Sequence, residues 1–197
     1  MGADWMKDVR EKSRKKRQML FSRDSACLQG LQELMGLQKH RTMVLWAFRC
    51  VERPLSILRT RYPAEERPDR AVELCKLWAA GEVKMPVARS ALLQVHGMAR
   101  EMNRPEDAAL CHAVGQACAT VHVETHGIGL PLYELTAIVR ELGLEGCERT
   151  VEERISQYID CLMQCREEAE RPGMKWAPFL LDGRPNRESP PAQKKRI

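Results

Sequence analysis

The sequence predicts an all-α fold, a single bundle of six to eight helices packed antiparallel or orthogonally. Three observations predict it. Strand signals are nearly absent: no Asn-Gly or Asp-Gly turn sits between alternating β-branched runs. Apolar residues recur instead at three-to-four spacing in one segment after another. Aromatic residues make up 5% of a chain that is 44% apolar, so Ala, Leu, Val, Met and Cys must fill the interior, and helices pack such residues well.

Each element follows from its own residues. Stretches 4–20 and 24–38 read as two N-terminal helices. From His40 to Arg61, residues Met43, Val44, Ala47, Val51, Leu55 and Leu58 share one face, and Pro54 predicts a kink or break within it. The two prolines of 62–69 make a loop, with Asp69 as an N-cap for a helix over 70–80 that stops at Gly81. A helix over 84–102 starts around Pro86, and Pro105-Glu106-Asp107 opens the next, read as running to 127. Pro131 opens a helix to about Leu142. Thr150 and Glu153 have capping-box spacing for a long helix to about Glu170. Residues 1–39 form an N-terminal extension, 40–171 the core domain, and 172–197 an irregular tail that could dock through Trp176, Phe179 and Leu180.

Composition excludes several classes. Charged residues reach 30%, and no apolar run approaches the ~18 residues of a membrane span. The basic start, followed only by Gln18-Met19-Leu20-Phe21, is no secretory signal. Eight cysteines are scattered through helical patterns without C-x-x-C pairs, which points to reduced core thiols in a cytoplasmic protein. Cys161 and Cys165 stand one helical turn apart. The net charge of +5 resides at the ends: residues 1–17 carry +4, residues 182–197 carry +3, and the body carries −2. Without interleaved aromatics, those basic ends give nucleic-acid binding little support.

The chemistry concentrates in residues 111–129. On one continuous helix, His112, Gly115, Ala119, His122 and His126 fall within a sector of roughly 80°, while Leu110, Val114, Ala117 and Val121 face the other way. Such a helix is buried on both sides, and its imidazoles need partners. Antiparallel packing of the preceding helix brings His96 opposite 111–115, closer to His112 than to His126. The i, i+4 pair His122 and His126 could share a metal, although the Glu spacing of H-E-x-x-H is absent. Arg89, His96 and Arg100, spaced by seven and four, line one face. A structural hydrogen-bond network, a metal site and a ligand pocket remain open. No cofactor is implied, and nothing demands catalysis.

Between Trp46 and Gly143 the chain resembles a known family. The carrying segments are WAFRCVERPL (46–55), RPDRAVELCKLWAAGE (67–82), the stretch from Ala88 to Glu101 with VHGMARE, and AVGQACATVHVETHGIGLPLYE (113–134). In that order they resemble the immunity-protein-five-like domain of bacterial toxin–immunity systems. The resemblance implies an all-α domain that neutralises a toxin by direct protein binding. Its pattern includes the positions of Trp78, Glu82, His96, Arg100, His122 and His126, but not His112. Together with Arg89 they form the candidate polar network or site, and the N-terminal helices are the first candidate partner surface.

Overall fold

A computed structural model describes residues 5–181 of the chain, and among these every regular element is helical. Helices α1 (Trp5–Arg14) and α2 (Gln29–Gly36) are followed by α3 (His40–Cys50), α4 (Glu52–Arg61), α5 (Arg67–Ala79), α6 (Met85–Met98) and α7 (Pro105–Ala119). After a 3-10 turn at Glu124–His126 come α8 (Gly129–Leu142), α9 (Glu148–Glu168) and the short α10 (Pro178–Leu181). The all-helical bundle predicted from the sequence is what forms.

Helix α7 is the hub. Ten of its fifteen residues are buried, and α3, α4, α5, α6 and α8 all pack against it. Its Ala, Gly and Cys residues make this possible, because small side chains let several helices approach one axis. Helix α9 covers α3 and α8 from the other side and receives α2. The N-terminal segment belongs to the same core: Trp5, Met6, Val9, Leu20 and Phe21 are buried. The Leu20 N–H also donates to Thr136 Oγ1 on α8 at 3.1 Å.

Several helix ends differ from their sequence-based bounds, and the causes are local. Pro54 breaks the 40–61 segment, with Val51 between α3 and α4. Pro54 has no N–H for the carbonyl four residues back. That carbonyl, of Cys50, accepts instead from Arg154 Nη2 of α9 at 2.9 Å. Helix α5 starts at Arg67, so Asp69 lies in its first turn and pairs with Arg59 (Nε–Oδ1 2.7 Å) rather than capping the N-terminus. Helix α6 ends at Met98, four residues early. Helix α9 starts at Glu148 with Cys147 as N-cap. Thr150 is therefore inside it, and Glu153 pairs with Arg149 at 2.7 Å instead of closing a capping box. Helix α1 ends at Arg14, and a 3-10 turn at Ala26–Leu28 precedes α2.

The tail docks as expected and adds the one turn of α10. Ala177 N–H donates to the Ala79 carbonyl at 2.7 Å, which closes the end of α5. Phe179 packs on Trp78 at 5.7 Å, and Leu180 is buried. Residues 182–197, with the basic C-terminal run, lie outside the described residues.

One buried carboxylate joins three helices, and its partners reach a fourth. Glu134 of α8 has no solvent exposure. Its Oε1 accepts from Arg53 Nη1 of α4 (2.7 Å) and Arg154 Nε of α9 (2.9 Å). Its Oε2 accepts from Arg154 Nη2 (3.0 Å) and from the Tyr158 hydroxyl. Trp46 Nε1 of α3 donates to the Tyr158 carbonyl at 2.9 Å. Burial works against the charge on Arg154, yet Tyr158 and Glu134 hold its pKa above the ordinary value. Burial and the same carboxylate push the Tyr158 hydroxyl up, so it stays a donor.

Removing one partner of such a group strands the others in low dielectric, at a cost of about 3–5 kcal/mol. Glu134→Leu is therefore expected to lower unfolding stability by that amount in urea denaturation. The triple change Glu134→Leu, Arg154→Met, Tyr158→Phe should recover much of the loss, because it removes the stranded charges together.

Candidate functional site

Helix α7 ends at Ala119, not at 127. The residues that follow explain the stop. Thr120 turns its hydroxyl back to the Gln116 carbonyl at 3.0 Å, and Val123 is extended (φ −145°, ψ 123°). The Thr120 carbonyl faces His40 of α3, whose Nε2–H donates to it at 2.7 Å. A tertiary cap thus takes the acceptor that another helical turn would have used. As a result His122 and His126 do not share a helical face with His112.

The five histidines of the chain nevertheless collect between the middle of α7 and the turn that follows it, in two groups with His126 between them. In the first, His40 caps Thr120 and stands 3.8 Å from Glu124 across Nδ1–Oε2. His122 stacks on Trp78 with centroids 6.1 Å apart and planes 30° apart. Phe179 lies on Trp78 and 6.5 Å from His40. In the second group, His96 Nδ1 and His112 Nδ1 are 2.9 Å apart, and His112 packs on Tyr133 at 4.9 Å. The sequence expectation that His96 meets His112 is what the structure shows. Gly115 makes room for the contact: a Cβ there would lie 2.5 Å from the His96 ring. His126 is exposed and donates from Nδ1 to Gln116 Oε1 at 3.0 Å.

The remaining sequence candidates lie around the two groups. Arg89 is exposed on α6, where its charge reaches His122. Arg100 lies past the end of α6, exposed, and its charge reaches His112. Glu82 pairs with Lys175 of the tail at 2.8 Å and meets none of the imidazoles. His122 and His126 turn to different partners, Trp78 and Gln116. Among the described residues, no group of three or more His, Cys, Asp or Glu side chains is placed to hold a metal ion.

Sequence reasoning missed three polar features. His40 gave no signal, because it stands alone at a helix start. Glu134 could have been noticed as the one acid in the apolar run GLPLYELTAIV. Asp107, also buried, accepts from Tyr62 OH at 2.6 Å and from Arg61 Nη1. That contact holds the Tyr62 hydroxyl up at about 12, with burial adding to it. Arg61 continues to Glu141 at 2.9 Å.

Four of the imidazoles resist protonation. Burial, then the neighbouring His112 and His126, lowers the His96 pKa to about 4. Burial first and a nearby cation second also lower His112 and His122, through Arg100 and Arg89. His126 is exposed as a residue, yet partial desolvation of its ring lowers it first, followed by His122 and then Arg23. The His96–His112 bond adds a geometric reason, since two protonated rings would face each other N–H to N–H. A ring that resists protonation when folded contributes stability that is full at neutral pH and is lost as pH falls. For His96 the loss spans the interval from 6.5 down to about 4. Urea midpoints are expected to fall between pH 7 and 4.5, and His96→Asn should reduce proton uptake on unfolding by up to one proton.

No curated protein and no solved structure matches the chain. A family model does, over residues 33–161, which spans α3 to α8, half of α2, most of α9, and both imidazole groups. The chain belongs to the family described as Imm-5 like putative immunity protein.

Proposed function

We propose that this protein neutralises a protein toxin by binding it directly, without catalysing a reaction, in a reducing cytoplasm. Family membership over residues 33–161 carries the reading. The internal chemistry agrees with it. The carboxylates of Glu134 and Asp107 are engaged by Arg and Tyr from neighbouring helices, which suits a rigid scaffold. All eight cysteines are free, as a reducing compartment keeps them. No helix among the described residues is long and apolar enough to cross a membrane.

A cleft of about 250 Å³ between α4, α7 and α8 offers a partner protein a docking place. Ile57, Leu110, Ile138 and Leu142 supply apolar walls, while Arg61 and Glu141 stand at its edge. Leu142 is 47% exposed there. The occupant that fits is an aliphatic or aromatic side chain of the toxin with charged neighbours, since apolar anchors in pockets carry most interface energy. The N-terminal helix α1 spends its apolar face on the body, through Trp5, Met6 and Val9, and leaves only its charged side for contact.

Co-expression with the toxins encoded by neighbouring genes tests this reading. The wild-type chain is expected to restore growth against one of them and to bind it in calorimetry. Leu142→Arg, on an exposed position, should keep the helical circular-dichroism signal and weaken binding at least about tenfold, which is 1.4 kcal/mol. Failure to rescue growth or bind any of these toxins would remove the proposal. Unchanged affinity in the variant would remove the cleft from it.

A further inference from the structure

Helices α4 and α8 both lie on α7, and the cleft between them is framed by two ion pairs. At one end Arg53 Nη1 reaches Glu134 Oε1 at 2.7 Å, and at the other Arg61 Nη2 reaches Glu141 Oε2 at 2.9 Å. Arg53 and Arg61 stand two turns apart on α4, about 12 Å along its axis. Between the frames the cleft of about 250 Å³ has the apolar walls Ile57, Leu110, Ile138 and Leu142. An apolar cavity of roughly 150 Å³ takes a benzene ring, so this cleft holds a large side chain with space at either end.

The two frames carry opposite charge. At the first, Arg53 and Arg154 share the single carboxylate of Glu134, an excess of one positive charge. Arg53 donates there through Nη1 alone. Among the described residues its other two nitrogens have no acceptor, and its side chain is 38% exposed. At the second, Arg61 and Arg104 serve the three carboxylates of Glu106, Asp107 and Glu141, an excess of one negative charge. Arg140, next to Glu141, donates to the carbonyls of Pro105 and Gln18, and its charge reaches Glu106 from outside the cleft. Glu141 is itself 38% exposed and faces the cleft.

We infer, resting on the toxin-neutralising function proposed above, that this cleft receives one helix of the toxin. In three successive turns the guest brings an acidic residue to Arg53, a large apolar residue into the middle, and a basic residue to Glu141. A helix fits for a geometric reason. Arg53, Ile57 and Arg61 form a ridge at four-residue spacing on α4, and the groove beside such a ridge takes a ridge of the same spacing from a second helix. Acid, anchor and base four residues apart on the guest span the same 12 Å or so. The buried anchor supplies most of the affinity, and the two charged frames set which way round the guest lies.

The test uses the full chain carrying Ser56→p-benzoylphenylalanine, at an exposed position of α4 beside Ile57, irradiated with the toxin it neutralises. Mass spectrometry of the crosslink is expected to return a toxin segment with an acid, a large apolar residue and a base at helical spacing. A crosslink to residues 182–197 of this chain, to a second copy, or to a toxin segment without that pattern would overturn the inference and leave neutralisation in place.

A second arm needs no toxin. The nitrogen-15-labelled chain is titrated with an alanine-based helical peptide of about 20 residues that carries glutamate, leucine and lysine four residues apart. Amide shifts are expected within 53–61, 106–110 and 137–142. Peptides with two glutamates or two lysines should bind about threefold more weakly, the size of one exposed ion pair. No shift at these amides, or equal affinity for all three peptides, would overturn the inference. Peptide binding without rescue from any toxin would instead remove the proposed function and keep the cleft as a helix-binding site.

Discussion

The Glu134 carboxylate is the constraint on which the arrangement of helices depends. A carboxylate without access to water is tolerated only where donors replace its hydration, and here they come from α4 and from two positions of α9. Arg154 fits only because Pro54 leaves the Cys50 carbonyl open. The break between α3 and α4, the rotation of α9 and the register of α8 are therefore one condition. Slide α8 by a turn and the carboxylate loses its donors. Well-packed apolar residues of the same volume could equal this cluster in net stability. What the ions add is direction, because an apolar contact tolerates a shift that a bidentate hydrogen bond does not.

Around that fixed frame, α7 works by being small. Ala109, Ala113, Gly115, Ala117 and Cys118 let neighbouring helices close on it from several sides. The nearest approach, His96 over Gly115, shows how little room remains. A helix enclosed in this way carries no amphipathic stripe, so its place at the centre was readable from its small residues rather than from a periodic apolar face.

The same comparison shows what the sequence could tell and what it could not. The helical class, the break near Pro54, the stop at Gly81 and the His96–His112 meeting all follow from local rules and short connections. Helix ends set by distant groups did not. Nothing in Thr120-Val121-His122 announces that His40, eighty residues earlier, will cap the Thr120 carbonyl. That contact separated His122 and His126 from the face that spacing gave them. Arg100 left its expected line because α6 closes at Met98 in local turns, Arg100 N–H to the Gly97 carbonyl and Glu101 N–H to the Met98 carbonyl. Glu82 was drawn to Lys175 of a tail that the pattern treated as loose. Of the candidate polar residues, pairs near in sequence or across a short turn were legible, whereas those that depend on tertiary capping were not.

The two ends of α7 handle charge in opposite ways. At the N-terminus, Asp107 sits in the first turn, where the helix dipole favours an anion, with Arg61 and Tyr62 completing its shell. At the C-terminus the dipole favours a cation, and imidazoles are present to supply one. Yet His122 and His126, which follow it, are both lowered, desolvation being the first cause for each. Desolvation and the nearby Arg89 outweigh the dipole, whose effect fades within the last turn. His40 meets the terminal carbonyl as a hydrogen-bond donor. The imidazole end thus coheres through ring stacking and hydrogen bonds, and the carboxylate end through ion pairs.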